Sequence, residues 1–206
     1  VIIGRVGAPP QQEATSTKFF FWVPPDVLIE KTQLVVCESI IAGQNFKFYA
    51  IIDEVRRRSR KNNMSGEVDE SDYDLSYIPP FASDGYTYAE ASILRTSPPI
   101  FTSPQERSPV MLASPEDAQL AYGADDIKQP LQVGLIKNGG DRLIGPGVID
   151  LDYLLGVNGG HMNVNGTAGR GTKSSFLLWV IRMLLYQSQE QKEKRPSDKH
   201  RLRVAP

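Results

Sequence analysis

Three glycines, one lysine and two serines converge on one short stretch: Gly166-Thr167-Ala168-Gly169-Arg170-Gly171-Thr172-Lys173-Ser174-Ser175. Extended-looking residues His161–Asn165 precede it, and an apolar run from Phe176 to Leu185 follows. Polyphosphate binding asks for backbone N–H groups turned inward around an anion, and glycine permits that turn and a close approach. The start of a helix adds further donors and a favourable dipole. A lysine there reaches the outer phosphates, and a hydroxyl directly after it can ligate Mg²⁺. Lys173 and Ser174 occupy those two places. The standard phosphate loop has glycine immediately before the lysine, where this chain has Thr172, and counted from Gly166 the loop is one residue longer. Either the loop bulges or a different glycine is its pivot. The plainer alternative is a glycine-rich strand-to-helix turn that holds no ligand. A dinucleotide fold is disfavoured, because the order is GxxGxG and no acidic residue stands at a second strand end about twenty residues on.

Other reactive residue types read more simply. His161 begins the extended run and reads as a packing or hydrogen-bonding group. Asp150 and Asp152 alternate with apolar neighbours as if on one strand, and read as exposed or turn-capping before they read as an acid pair. Cys37, in a Val-Val-Cys run, reads as a core thiol, and Trp179 as packing. Arg56, Arg57, Arg58, Arg60 and Lys61 form a basic cluster, read either as a solvated strand end or as a phosphate-backbone contact. The stretch from Lys192 to Arg203 carries six Lys/Arg against two acids and leaves the same pair of readings open.

The elements that must position these residues fall into two halves. Ile2–Val6, Thr17–Val23, Leu34–Ile41, Phe46–Val55 and Tyr86–Leu94 are rich in β-branched and aromatic residues, and breakers such as Pro24-Pro25 and Ala42-Gly43-Gln44-Asn45 separate them. Short strands at this spacing predict a small barrel. A long polar insert, 56–84, opens basic and turns acidic, and reads as a mobile excursion. Thr96–Pro115 holds five prolines and reads as the boundary zone. Ser114-Pro115-Glu116-Asp117 then opens a short helix with a capping serine and an acid three residues on.

Beyond it the composition changes. Eleven of the seventeen glycines lie between Gly134 and Gly171, among strand-like runs Val133–Ile136, Val148–Leu151 and His161–Asn165. Ser174–Glu190 has no Gly or Pro and is apolar on nearly every side as far as Leu185, which predicts a buried helix. A strand, a glycine loop and a buried helix in succession read as the opening of an α/β domain.

Composition sets the outer limits. The chain has 206 residues, a formal charge of −1 and 40% hydrophobic residues, which excludes a wholly disordered chain. With that charge, any attraction to nucleic acid or anionic membrane must come from a local patch. One cysteine excludes an intrachain disulfide framework and a cysteine-based zinc site, and it fits a reducing, cytoplasmic setting. No apolar run reaches membrane-spanning length. The opening at Val1 inside a strand-like run, and the close on Arg201–Pro206, read as cuts at both ends of the front portion of a longer protein.

Taken together, three groups of residues resemble the HerA-type ATPases of the HerA/FtsK superfamily, hexameric P-loop DNA translocases with an N-terminal HAS barrel. Ile3–Val6, Phe19–Val23, Leu34–Val36 and Tyr49–Val55 resemble the barrel. Val133–Ile136, Val148–Asp152 and Leu154–Gly156 resemble the lead into the ATPase core, and His161–Ser175 resembles the P-loop strand and turn. The resemblance implies an α+β chain: a small barrel over 1–112, then an incomplete RecA-like NTPase domain over 113–206. It implies ATP and Mg²⁺ as cofactors. Gly166, Gly169 and Gly171 would wrap the phosphates, with Thr167, Ala168, Arg170 and Thr172 completing the loop. Lys173 would neutralise charge on the γ-phosphate, Ser174 would hold Mg²⁺, and Ser175 would be a backbone donor or an α-phosphate contact. It implies DNA as partner, a homo-oligomeric ring, a barrel that can dock a nuclease, and no membrane. The acidic Mg-orienting strand, the catalytic carboxylate and the arginine finger of that family lie beyond the residues that match, so this stretch alone is expected to hydrolyse little. Two alternatives from other classes are a non-hydrolysing nucleotide-dependent switch and a barrel interaction module with no nucleotide site.

Overall fold

A computed structural model of the protein describes residues 1–58, 76, 85–155, 161–167 and 169–194, the last four of these as helical backbone. Two compact units emerge: Val1–Ala121 with Lys137–Arg142, and Tyr122–Ile136 with the residues from Leu143 onward.

The first unit is a closed antiparallel barrel. Its strands are β1 (Ile2–Val6), β2 (Lys18–Val23), β3 (Leu34–Ile41), β4 (Gln44–Arg58), β5 (Tyr86–Ser97) and β6 (Pro109–Leu112), in the order β1-β2-β5-β4-β3-β6. Alternation along each strand sends one set of side chains inward. Phe19, Phe21, Val35, Cys37, Phe48, Ala50, Ile52, Ala89, Ala91 and Val110 fill the interior and are almost wholly buried. Gly4 lets two walls approach, because a Cβ there would lie 2.3 Å from the Trp22 carbonyl oxygen and 2.8 Å from the Phe21 ring. The β3–β4 hairpin turns through Ala42 and Gly43, both at positive φ.

Three expectations change here. The zone 96–115 is not merely a boundary: β6 lies within it and closes the barrel by pairing with both β1 and β3. Pro109 hides this strand from a sequence reading, yet it stands at the strand's first residue, where proline is tolerated. β4 also runs on to Arg58, so Arg56–Arg58 are strand residues paired with β5; the rest of the polar insert lies outside the described residues, apart from Ser76. The helix opened by Ser114 is α1 (Pro115–Ala121), and its cap is reciprocal: Asp117 N–H donates to Ser114 Oγ at 3.1 Å, and Ser114 N–H to Asp117 Oδ2 at 2.9 Å. It belongs to the barrel unit.

In the second unit, a 3₁₀ turn (Ala124–Asp126) leads to β7 (Pro130–Lys137), β8 (Leu143–Asp150), α2 (Leu151–Leu154) and α3 (Thr172–Lys194). Joined by the short connection 138–142, β7 and β8 can pair only antiparallel, as a two-stranded sheet. The connection itself belongs to the barrel unit. There Asn138 is buried and its Oδ1 accepts the Leu34 N–H at 2.7 Å, and Gly140 N–H donates to Glu30 at 3.3 Å. Asp150 is not on a strand with Asp152. It ends β8 and caps α2, its Oδ1 accepting the N–H groups of Asp152 and Tyr153. A mixed α+β architecture with a closed barrel is thus established.

Candidate functional site

The start of α3 is the part of the second unit with chemistry. β7 holds that helix through two side-chain clamps two turns apart: Trp179 Nε1–H donates to the Val133 carbonyl at 2.9 Å, and Gln187 Nε2 donates to the Pro130 carbonyl at 3.0 Å. Between them Val180, Met183 and Leu184 form a stripe at helical spacing, which packs with Leu131, Val133, Ile149, Leu151 and Leu154. Trp179 therefore does more than pack, because its indole N–H fixes the helix to a strand backbone.

The expected burial of α3 does not hold. Leu178 is 67% exposed, Tyr186 62% and Leu185 49%, and Phe176, Leu177 and Ile181 are open as well. A two-stranded sheet covers one stripe of a helix, and among the described residues nothing covers the other sides. The expected strand His161–Asn165 is likewise absent as a ladder. His161–Thr167 runs without strand pairing, because β7 and β8 pair with each other. His161 is exposed.

Between this run and the helix, the chain turns at Gly169 (φ 86°) and Gly171 (φ 65°), a conformation that glycine adopts without a Cβ penalty. The pivot before the lysine is thus Gly171. Thr172 is the first helical residue and carries no positive φ, so threonine there is unstrained. The first helical hydrogen bond runs from Ser175 N–H to the Gly171 carbonyl at 2.9 Å.

Lys173 bends back across the turn, and its Nζ donates to the Gly166 carbonyl at 3.1 Å. A Cβ on Gly166 would lie 3.1 Å from both Lys173 Cγ and Thr172 Oγ1, so the missing side chain is what lets the chain close on the lysine. Beside them lies a cavity of about 390 Å³ lined by Met162–Asn165, Thr172, Lys173 and Phe176. The structure therefore gathers Gly166, Thr172 and Lys173 at one place. Thr167 is exposed next to them, Gly169, Arg170 and Gly171 form the exposed turn, and Ser174 and Ser175 sit exposed in the first helical turn. Ala168 lies outside the described residues. Sequence reasoning missed Asn163, Asn165 and Phe176 as lining groups. The usable signals were an alternating pair of amides leading into the loop and an aromatic ring three residues after the lysine, on its own helix face.

The donor set fits a triphosphate with its Mg²⁺. It offers a lysine ammonium held at a glycine turn, the exposed Ser174 hydroxyl beside it, and a cavity where Asn163, Asn165 and Thr172 interrupt a largely apolar lining of Met162, Val164 and Phe176. Among the described residues no group of three or more His, Cys, Asp or Glu side chains could hold a metal unaided. Ser174 would then share the ion with phosphate oxygens and water, the usual way Mg²⁺ is held. Cys37, by contrast, is chemically quiet: burial first, and the neighbouring Glu38 carboxylate second, push its thiol up to about 12. Comparison with known protein families and with curated proteins finds no match for this chain.

Proposed function

We infer that this chain binds ATP with Mg²⁺ through residues 166–175, as the N-terminal part of a cytoplasmic, HerA-like, ATP-driven DNA translocase or helicase that works as a ring. One observation carries the nucleotide part: the Lys173 ammonium is drawn back onto the Gly166 carbonyl, beside a cavity that Lys173 itself lines. In this reading the turn's amides and the lysine bind the polyphosphate, Ser174 supplies a hydroxyl to Mg²⁺, and Phe176 with Met162 shields one side from water. The metal, when bound, neutralises phosphate charge. In this reading the acid that completes hydrolysis lies outside the residues that resemble the family's loop, and little turnover is expected from residues 166–175 without it. The test is calorimetric titration with Mg-ATP. The intact chain should bind saturably and Lys173→Ala should abolish the heat; equal binding by both would overturn the assignment.

A second reading has its own support. The barrel closes without any residue of the loop, so it can serve as an interaction module whether or not the loop holds nucleotide. Absence of any ATP heat in the intact chain would favour it.

A further inference from the structure

The outer wall of the barrel carries a cross-strand row of aromatic rings flanked by arginines. Register places Arg5 of β1 beside Trp22 of β2, Trp22 beside Tyr88 of β5, and Tyr88 beside Arg56 of β4. With strands about 4.8 Å apart, the row spans ~14 Å across four strands. Tyr86 lies next to it on β5, paired with Arg58. The three rings touch: Trp22 and Tyr86 are 4.8 Å apart edge to face, Trp22 and Tyr88 5.8 Å, and Tyr86 and Tyr88 6.2 Å. Tyr88 is buried, whereas Trp22 and Tyr86 are only half-buried. Trp22 is fixed in place, because Gly7 passes so close that a Cβ there would lie 2.3 Å from the indole nitrogen.

Cations stand on both sides of these rings. On one side Arg5 donates to the Arg107 carbonyl at 3.0 Å, a contact that leaves the Arg5 charge without a carboxylate partner among the described residues. On the other are Arg56 and Arg58, of which only Arg56 meets a described carboxylate, Glu90 at 3.4 Å, while Arg57 between them falls on the opposite side of β4. Glu90 is already shared with Lys18, and Glu106 is the other acid near the indole. A chain with a net charge of −1 thus sets three guanidinium groups, those of Arg5, Arg56 and Arg58, around one aromatic row.

We propose that this outer face of β1, β2, β5 and β4 binds single-stranded nucleic acid, with bases stacking on Trp22 and Tyr86 and phosphates held by Arg5 and Arg58. The ligand class follows from the alternation. A polymer of planar bases and anionic phosphates meets rings flanked by cations, and stacking on rings tolerates any base. A plain polyanion would use the arginines and leave the rings idle. This inference is independent of the phosphate loop.

The test is fluorescence anisotropy of a labelled oligothymidylate of about 16 nucleotides, with the whole chain at two salt concentrations. Saturable, salt-weakened binding is expected. Tyr86→Ala should weaken it about tenfold, the loss of one stacked base. Arg58→Glu, at an exposed strand end with no described ion pair, should weaken it further and flatten the salt dependence by ~0.7 for the lost phosphate contact. Lys173→Ala should bind the oligonucleotide like the intact chain even if it loses ATP, so the two assignments fail separately. Circular dichroism of each variant checks that the barrel is intact. The proposal is overturned if no saturable binding occurs. It is equally overturned if Arg58→Glu binds as the intact chain does, or if heparin and anionic vesicles bind equally well while Tyr86→Ala changes nothing.

Discussion

Asn138 offers the sharpest test of how the barrel unit is held. Its side chain is 7% exposed, and its Oδ1 accepts from the N–H of Leu34, itself 1% exposed at the start of β3. At 2.7 Å this is a short, well-formed amide bond. Asn138→Ala removes the acceptor and leaves a backbone N–H that water cannot reach. An orphaned buried donor costs about 1–3 kcal/mol, more than the net value of the bond itself. Urea unfolding followed by circular dichroism should show a lower midpoint with an unchanged slope, the mark of lost stability rather than altered compactness. Asn138→Asp keeps an acceptor oxygen at the same position and should recover part of the loss. If Asn138→Ala unfolds within ~0.3 kcal/mol of the parent, Leu34 N–H has another partner, and the reasoning from burial fails.

Further outcomes follow from single contacts. Gly4→Ala should destabilise the barrel by ~3 kcal/mol through overpacking against the Trp22 carbonyl, read in the same urea experiment; a neutral result would mean the β1–β2 spacing is adjustable. Trp179→Phe should cost about 1 kcal/mol by removing the indole donor to Val133 and should loosen α3, seen as faster amide exchange there. Gly166→Ala should weaken ATP binding about tenfold, ~1.4 kcal/mol, by pushing Lys173 off the turn, measured by calorimetry. Cys37 gives a pH prediction. Its thiol is raised from 9.0 to about 12 in the fold, so the unfolded chain ionises first and binds fewer protons. Stability should be complete below pH 9 and fall as pH rises from there toward 12, by up to ~1.4 kcal/mol per unit. In Cys37→Ala that component should vanish.

Local chemistry made much of this protein legible in advance. The β-branched and aromatic runs with their breakers marked five barrel strands, since alternation and turn residues act within a few positions of each other. Ser114 and Asp117 announced their helix for the same reason, as a cap is a contact across three residues. The loop from Gly166 to Ser175 declared its glycines, its lysine and its serines. What the chain could not state locally was who pairs with whom. Pro109 masked the strand that closes the barrel, because closure is decided by β1 and β3, about seventy or more residues away in sequence. The apolar sides of α3 read as buried because hydrophobicity counts residues and not the surfaces available to cover them. Only the folded chain decided that Gly171 is the pivot, that Lys173 closes onto Gly166, and that Arg5, Trp22, Tyr88 and Arg56 meet in one row. Each of those is a matter of register and backbone angle, set by the packing of the whole unit.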